Sequence, residues 1–420
     1  MMKLETYVIL AVLAATDVLG QLQDLPQCGS NCLTRAILNS TCTPNDTPCI
    51  CENSALKNQT QQCVLSSCTV REQLTTLNIT NAECGIFSGQ DRSWLPPLLF
   101  FIILATVVFM LRVVSRVVCQ MKFWWDDFAN LLATLGCIIF SALIVEAGNL
   151  GLGTQSWAVP QEDITRLIAL TYIEFLIYNF VEVALRTSVL LFYMRVFSNG
   201  QGLRRIFLAT LIISNILSVG FFLFNTFQCT PVSFFWLGWD KQHAGHCIPP
   251  DKVALSGAII DLFWTILIIL LPLPTILRLK LPGYKKFVTT VMFTFGISTI
   301  TIMGYRFTTF AAYSTSDNPT ISGVEISLWS AIELDVALIC ACLPSVYPLF
   351  LRVIHRGHTS PVNTPPALAT ITIGGSNKKM GQMKRRDLWS TSRTTDPGLE
   401  ETSSAVKRGQ YMELDEVPTH

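Results

Sequence analysis

Charge is scarce in this sequence. Asp, Glu, Lys and Arg make up 14% of the 420 residues against 50% hydrophobic, and the mean hydropathy is +0.44. Soluble globular domains carry about 25% charge, so that class is excluded and a multi-span membrane protein is what remains. The formal net charge is only +1, which removes the basic field that nucleic acid binding requires. No nucleophile beside a base and no metal-ligand set stands out, so the sequence points away from an enzyme. Paired broken helices and inverted halves are missing too, which argues against a transporter.

Cysteine is thin over most of the chain and dense at one end. Of 14 cysteines, eight fall between Cys28 and Cys84, and this unevenness implies two redox environments. Ahead of them, Lys3 and the apolar run Tyr7 to Ala15 lead to small residues near Gly20. The run is too short to span a hydrocarbon core that needs about 20 residues, so residues 1–20 read as a cleaved signal peptide. Residues 21–94 form a separate head with four glycosylation sequons, at Asn39, Asn45, Asn58 and Asn78. Sequons beside paired-looking cysteines fit passage through the secretory pathway.

From Leu95 the texture changes to apolar stretches, at roughly 95–118, 127–147, 168–194, 206–227, 253–277, 287–312 and 325–350. In lipid each must satisfy its own backbone hydrogen bonds, so seven helices are expected over residues 95–352. Arg112, Arg116, Lys122, Arg195, Arg204, Arg205, Arg278, Lys280, Lys285, Lys286, Arg352 and Arg356 fall at one set of ends; Arg92, Arg166, Lys241 and Lys252 fall at the other. The positive-inside rule then agrees with the signal peptide on head outside and C-terminus in the cytosol. Residues 353–420 are rich in Ser, Thr, Pro, Gly and charge, and read as a disordered cytosolic tail.

The head carries Pro26-x-Cys28-x3-Cys32, then Cys42-x3-Asp46-x2-Cys49-x-Cys51, Cys63, Cys68 and Cys84. It resembles the CFEM domain, an eight-cysteine extracellular module of fungal membrane and cell-wall proteins. The resemblance implies a small helical domain with bridges Cys28–Cys68, Cys32–Cys63, Cys42–Cys49 and Cys51–Cys84. The spacing is compatible with that pairing: Cys28 and Cys32 share a helical face that an antiparallel helix bearing Cys63 and Cys68 can meet. Some members of the family bind haem through the Asp at the place of Asp46, so Asp46 is implied as an axial iron ligand. Residues 21–94 contain no His, Met or Tyr, so if haem binds here a carboxylate is almost the only axial ligand left. The alternative is that Asp46 braces a turn, and a glycan on Asn45 would crowd an iron bound there.

The body shows Arg112-x3-Arg116, then Trp125-Asp126-Asp127, Cys229 and Cys247 in a Trp-rich loop, Asp261, Pro272 and Pro274, and Trp329-Ser330-x2-Glu333 before Pro344. These resemble the fungal rhodopsin-like seven-helix receptors associated with surface sensing by plant-infecting fungi. Head and body together resemble the CFEM-bearing subgroup. A retinal Schiff base requires a lysine within the bundle, and none of the seven stretches contains one. The Asp-Arg-Tyr ending of the third helix known from animal receptors is also missing, which weakens coupling to a G protein as against another cytosolic signalling partner.

Within the spans, Glu182 and Arg186 stand one turn apart and are expected to pair. Asp261, Arg306 and Glu333 are candidates for a polar ligand site or for partners that exchange as the bundle moves. Cys229 and Cys247 are expected to bridge. The resulting expectation is an all-α plasma-membrane receptor that contacts membrane lipid and senses an unidentified extracellular ligand or host molecule. The alternative is a virulence effector or haem-binding module, secreted or host-delivered, with the bundle as anchor.

Overall fold

A computed structural model describes residues 25–44, 46–197, 201–274, 283–316 and 318–356. The segment read above as a signal peptide, the tail beyond residue 356 and Asn45 lie outside the described residues. The head is built from α1 (Gln27–Leu38), α2 (Thr47–Glu52), α3 (Ser54–Ser67) and α4 (Val70–Glu83). Three of the four helix starts are capped by a side chain. Asp46 accepts from the Cys49 N–H to begin α2, and Asn53 accepts from the Ala55 and Leu56 N–H groups to begin α3. Thr69 and Glu72 form a reciprocal capping box at α4, which also draws the Glu72 carboxyl below its usual range through the Thr69 N–H and hydroxyl.

So small a head has little core: Ala36, Ile37, Cys42 and Leu56 form its buried cluster. Disulfides supply the rest. Cys28–Cys68 and Cys32–Cys63 tie α1 to α3, Cys42–Cys49 closes the loop before α2, and Cys51–Cys84 ties α2 to the end of α4.

Seven long helices make the body: α5 (Leu95–Val118), α6 (Trp125–Asn149), α7 (Gln161–Phe197), α8 (Gln201–Thr226), α10 (Pro250–Leu270), α11 (Gly283–Ser314) and α12 (Pro319–Arg356). A short α9 (Phe234–Leu237) lies in the loop before α10. Six of the seven are long and apolar enough over their described residues to cross a membrane; α11, 32 residues long, completes the ring. Neighbours in sequence pack side by side, α12 closes against α5, and α12 also reaches α6 and α7. Their shared core includes Leu98, Phe109, Phe140, Tyr178, Val181, Leu334 and Leu338. At Gly136 a Cβ would fall 2.3 Å from Val181 Cγ2, so only glycine permits the close α6–α7 approach. The outward faces stay apolar, with Phe100, Ile103, Ile216, Leu217 and Phe263 all more than half exposed, which suits lipid contact.

Most helices run past their apolar stretches, because polar first and last turns extend into the interfaces. The fifth stretch is the exception. Its continuous helix is interrupted after Leu270 by a turn at 271–272, because Pro272 and Pro274 cannot donate to the preceding turn, and residues 275–277 of the stretch lie outside the described residues.

Candidate functional site

Polar groups in the bundle interior concentrate on one face of α7. Glu174, Tyr178, Glu182 and Arg186 recur every four residues and so stack along about 18 Å of helix. Arg186 Nη2 donates to Glu182 Oε2 at 3.0 Å and to Asp261 Oδ1 from α10. Arg306 on α11 meets Glu333 on α12 at 2.9 Å, and the Tyr178 hydroxyl donates to the other Glu333 oxygen at 3.1 Å. The Arg306 guanidinium also lies 4.2 Å from the Tyr178 ring centroid. Glu174 accepts from Ser327, and Asp335 is buried beside Cys137.

The sequence-selected residues therefore divide. Asp261 joins Glu182 and Arg186, while Arg306 and Glu333 form a second pair joined through Tyr178. Tyr178 carried no sequence signal, since its spacing is that of any core aromatic. An unpaired charge at this depth costs about 2.5–3.5 kcal/mol, so these pairs fix which faces of α7, α10, α11 and α12 meet.

A second cluster lies at the end far from the head. Arg112 contacts Asp126 at 2.6 Å and Asp127 at 2.8 Å, and donates to the Ala341 carbonyl at 2.7 Å. Arg116 reaches the same two carboxylates at 3.0 and 3.1 Å and the Ser345 hydroxyl at 3.2 Å. Arg195 approaches the free Asp126 oxygen at 3.4 Å. The Arg-x3-Arg and Trp-Asp-Asp motifs are thus halves of one knot joining α5, α6, α7 and α12, a relationship that spacing within either motif does not reveal.

The head is docked on the body. Arg71 at the start of α4 donates through Nε and Nη2 to Asp240 Oδ2, at 3.1 and 2.9 Å, and stacks over Trp239. The other Asp240 oxygen takes the Gln242 N–H and the His243 ring. The Gln242 N–H, above all, holds the Asp240 carboxyl down at about 2 against the opposing effect of burial, with Arg71 and His243 adding to the lowering. Gln161 donates to the Arg71 carbonyl and Thr75, and Trp239 donates to Thr165. The loop that carries Asp240 is pinned by Cys229–Cys247, whose residues also pair in a two-stranded ladder with Thr230 and His246. Neither Arg71 nor Asp240 stands out in the sequence, where the one available signal is an Asp in a Trp-rich loop.

Asp46 is exposed on the Cys42–Cys49 loop. One of its oxygens caps α2, accepting from Cys49 N–H at 3.2 Å, and the other is turned to no protein donor among the described residues. That second oxygen is the kind of hard, solvent-accessible donor a ferric haem iron would take, so the residues present fit the group. Both readings of Asp46 are compatible in one carboxylate. The described His, Cys, Asp and Glu side chains contain one further close group, Cys28, Cys68 and Glu72, but the two sulfurs are bonded to each other. Asn39, Asn58 and Asn78 are all exposed, Asn39 just past the end of α1 and the other two within helices.

Comparison with known proteins agrees with this division. Residues 21–85 match the CFEM domain model and residues 111–352 match the fungal rhodopsin domain model. Among curated proteins, the polyenoic acids biosynthesis gene cluster protein Ba17b of Metarhizium anisopliae is 25% identical over 265 residues, covering 60% of this chain and 71% of that protein. Receptor GIN3 of Arthrobotrys oligospora is 24% identical over 201 residues, 47% of this chain and 46% of the receptor. A GPI-anchored hemophore of Arthroderma benhamiae is 35% identical over 78 residues, 18% of this chain and 42% of that protein. No solved structure matches. With more than half of its length in the match, and the seven-helix ring and its paired interior described above, the chain belongs to the fungal rhodopsin domain family and carries a CFEM domain at its head.

Proposed function

We propose that this membrane protein is a receptor in which the head faces outside, recognises an extracellular cue, and passes that event to the bundle through its docked loop. The observation that carries this reading is the Arg71–Asp240 contact. A domain serving as a mere tether would need no ion pair to a buried carboxylate, whereas a head that bears on the Cys229–Cys247 loop can shift α8 and α10, between which that loop runs. The basic bias of the far ends supports a cytosolic C-terminus and a cytosolic signalling partner. The likeness to Receptor GIN3 favours the same class.

The test is complementation of a null strain with the full chain, the head alone, the bundle alone and the full chain bearing Asp240→Asn. The receptor reading expects rescue by the full chain, failure of both halves and reduced rescue by the variant. Full rescue by the head alone would overturn it in favour of a second reading. In that reading the CFEM head binds haem or acts on a host, and the bundle is an anchor. Its specific support is the free oxygen of Asp46 together with the hemophore relative. Haem would supply iron redox or transport chemistry there; the chain's own part would be to present the Asp46 carboxylate on a disulfide-closed loop.

A further inference from the structure

Among the described residues, the end of the bundle far from the head has more basic than acidic side chains. The segments 112–127, 195–206, 271–287 and 344–356 contain only two acids, Asp126 and Asp127. Both are buried, and both are consumed by Arg112, Arg116 and Arg195. Three guanidiniums on two carboxylates leave one surplus positive charge. Arg195 is the most exposed of the three, has the longest contact with Asp126, and donates its other nitrogen to the Lys122 carbonyl at 3.2 Å. Lys122 and Arg352 are exposed, and Arg352 donates to the Val118 carbonyl at the end of α5.

Beside these cations is a band of aromatic side chains. Trp124 lies under the Arg195 guanidinium, 5.8 Å from it, and is 49% exposed. Phe123, just before α6, and Trp125 and Phe128 in its first turn are each more than half exposed. Aromatic rings at this position belong at headgroup depth. Basic side chains bordered by such rings suit the headgroup region of a lipid leaflet.

We propose that Lys122, Arg195 and Arg352, bordered by Trp124 and Trp125, form a binding site for the phosphate-bearing headgroup of an anionic phospholipid. The headgroup supplies the missing counter-charge to the knot while its acyl chains lie along α6 past Phe128 and Leu131. Occupancy would reinforce the join of α5, α6, α7 and α12, so the site ties the packing of these helices to the charge of the adjoining leaflet. The proposal rests on the chain spanning a membrane, and does not depend on which leaflet is cytosolic or on what the head recognises.

The experiment uses the full chain in nanodiscs of phosphatidylcholine alone or with phosphatidylserine, followed by native mass spectrometry and thermal unfolding. Wild type is expected to retain phosphatidylserine adducts and to unfold at higher temperature in the anionic discs. Lys122→Gln and Arg352→Gln should each weaken retention about five-fold, since a basic residue near a charged leaflet contributes about 1 kcal/mol, while Arg92→Gln at the head end should not. Arg195→Gln is read only alongside these two, because it also touches the knot. Equal retention of both lipids, or retention unchanged in Lys122→Gln and Arg352→Gln, would overturn the site. So would full protection by inorganic phosphate without anionic lipid, which would mark it as a general anion cleft. Protection by poly-glutamate but not by phosphatidylserine would overturn it in favour of an acidic protein segment.

Discussion

Arg71 and Asp240 are 169 positions apart in sequence and 2.9 Å apart in the fold, where they join the disulfide-stapled head to the loop between the fourth and fifth spans. Asp240 is buried and Arg71 is partly exposed, so the contact is asymmetric: losing Arg71 strands a buried carboxylate, while losing the carboxylate leaves a guanidinium that water can reach. Arg71→Ala should therefore weaken docking by about 1–3 kcal/mol, and more than Asp240→Asn does. Hydrogen exchange over 70–83 and 229–247 measures this, and equal protection in wild type and both variants would refute it.

The same contact gives a pH dependence. The folded Asp240 carboxyl sits at about 2, below its ordinary value of 3.8. A depressed acid contributes stability that is present above its unfolded value and lost as pH falls through the folded one. The loop built around Asp240, and the docking that depends on it, should hold from neutral pH down to about pH 4 and loosen between there and about pH 2. Asp240→Asn should flatten that part of the profile, as read by the same exchange experiment.

Head stability should follow loop length. Cys51–Cys84 spans 33 residues and Cys42–Cys49 spans 7. On chain entropy, removing the first as a double Cys→Ala variant should cost about 4 kcal/mol and removing the second about 2 kcal/mol. Denaturant unfolding of the full chain, followed by a head-specific probe, ranks them; a reversed order would mean that packing of α2 matters more than closure.

The Arg306–Glu333 pair should be destabilising to break and cheap to replace. Glu333→Gln leaves Arg306 without its counter-ion and should cost about 3–5 kcal/mol, whereas Arg306→Met with Glu333→Leu should recover most of that loss. Thermal unfolding in detergent distinguishes them. If the double variant also loses a signalling response that wild type shows, the pair has a role in switching beyond fixing the helix faces.

Asp46 has two separable duties. As a cap, its change to Ala should lower head stability by about 1 kcal/mol. As an iron ligand, it should give ferric haem a Soret shift with the full chain made without the Asn45 glycan, lost in Asp46→Ala and retained in Asp24→Ala. Asp46→Asn tells the two apart, because an amide oxygen still caps the helix but is a poor ligand for ferric iron.

Much of the architecture is legible in the chain because it depends on local composition. Apolar runs of bilayer length must be helical, since no other open-ended structure satisfies its backbone in lipid. The seven stretches accordingly coincide with seven helices, the fifth broken by a turn at 271–272 where Pro272 and Pro274 remove backbone donors. The crowding of cysteines into residues 28–84 marks a stapled domain before any geometry is known.

Partnership between distant charges was not legible. Sequence pairs Glu182 with Arg186, which are one turn apart, but the arrival of Asp261 from α10, of Tyr178 at Glu333, and of Arg195 at the Asp126 knot depends on how whole helices rotate and slide against each other. Arg71 and Asp240 make the same point across two domains. Sequence alone determined that this protein has a disulfide-bound head, crosses a membrane and carries ionisable groups that must find partners there, because hydrophobicity, cysteine density and the cost of buried charge are properties of each segment. Only the tertiary structure decided which partners they are, because a charge in a helical bundle is paired by the few side chains that packing brings within 3 to 4 Å of it, and packing is a property of all the segments together.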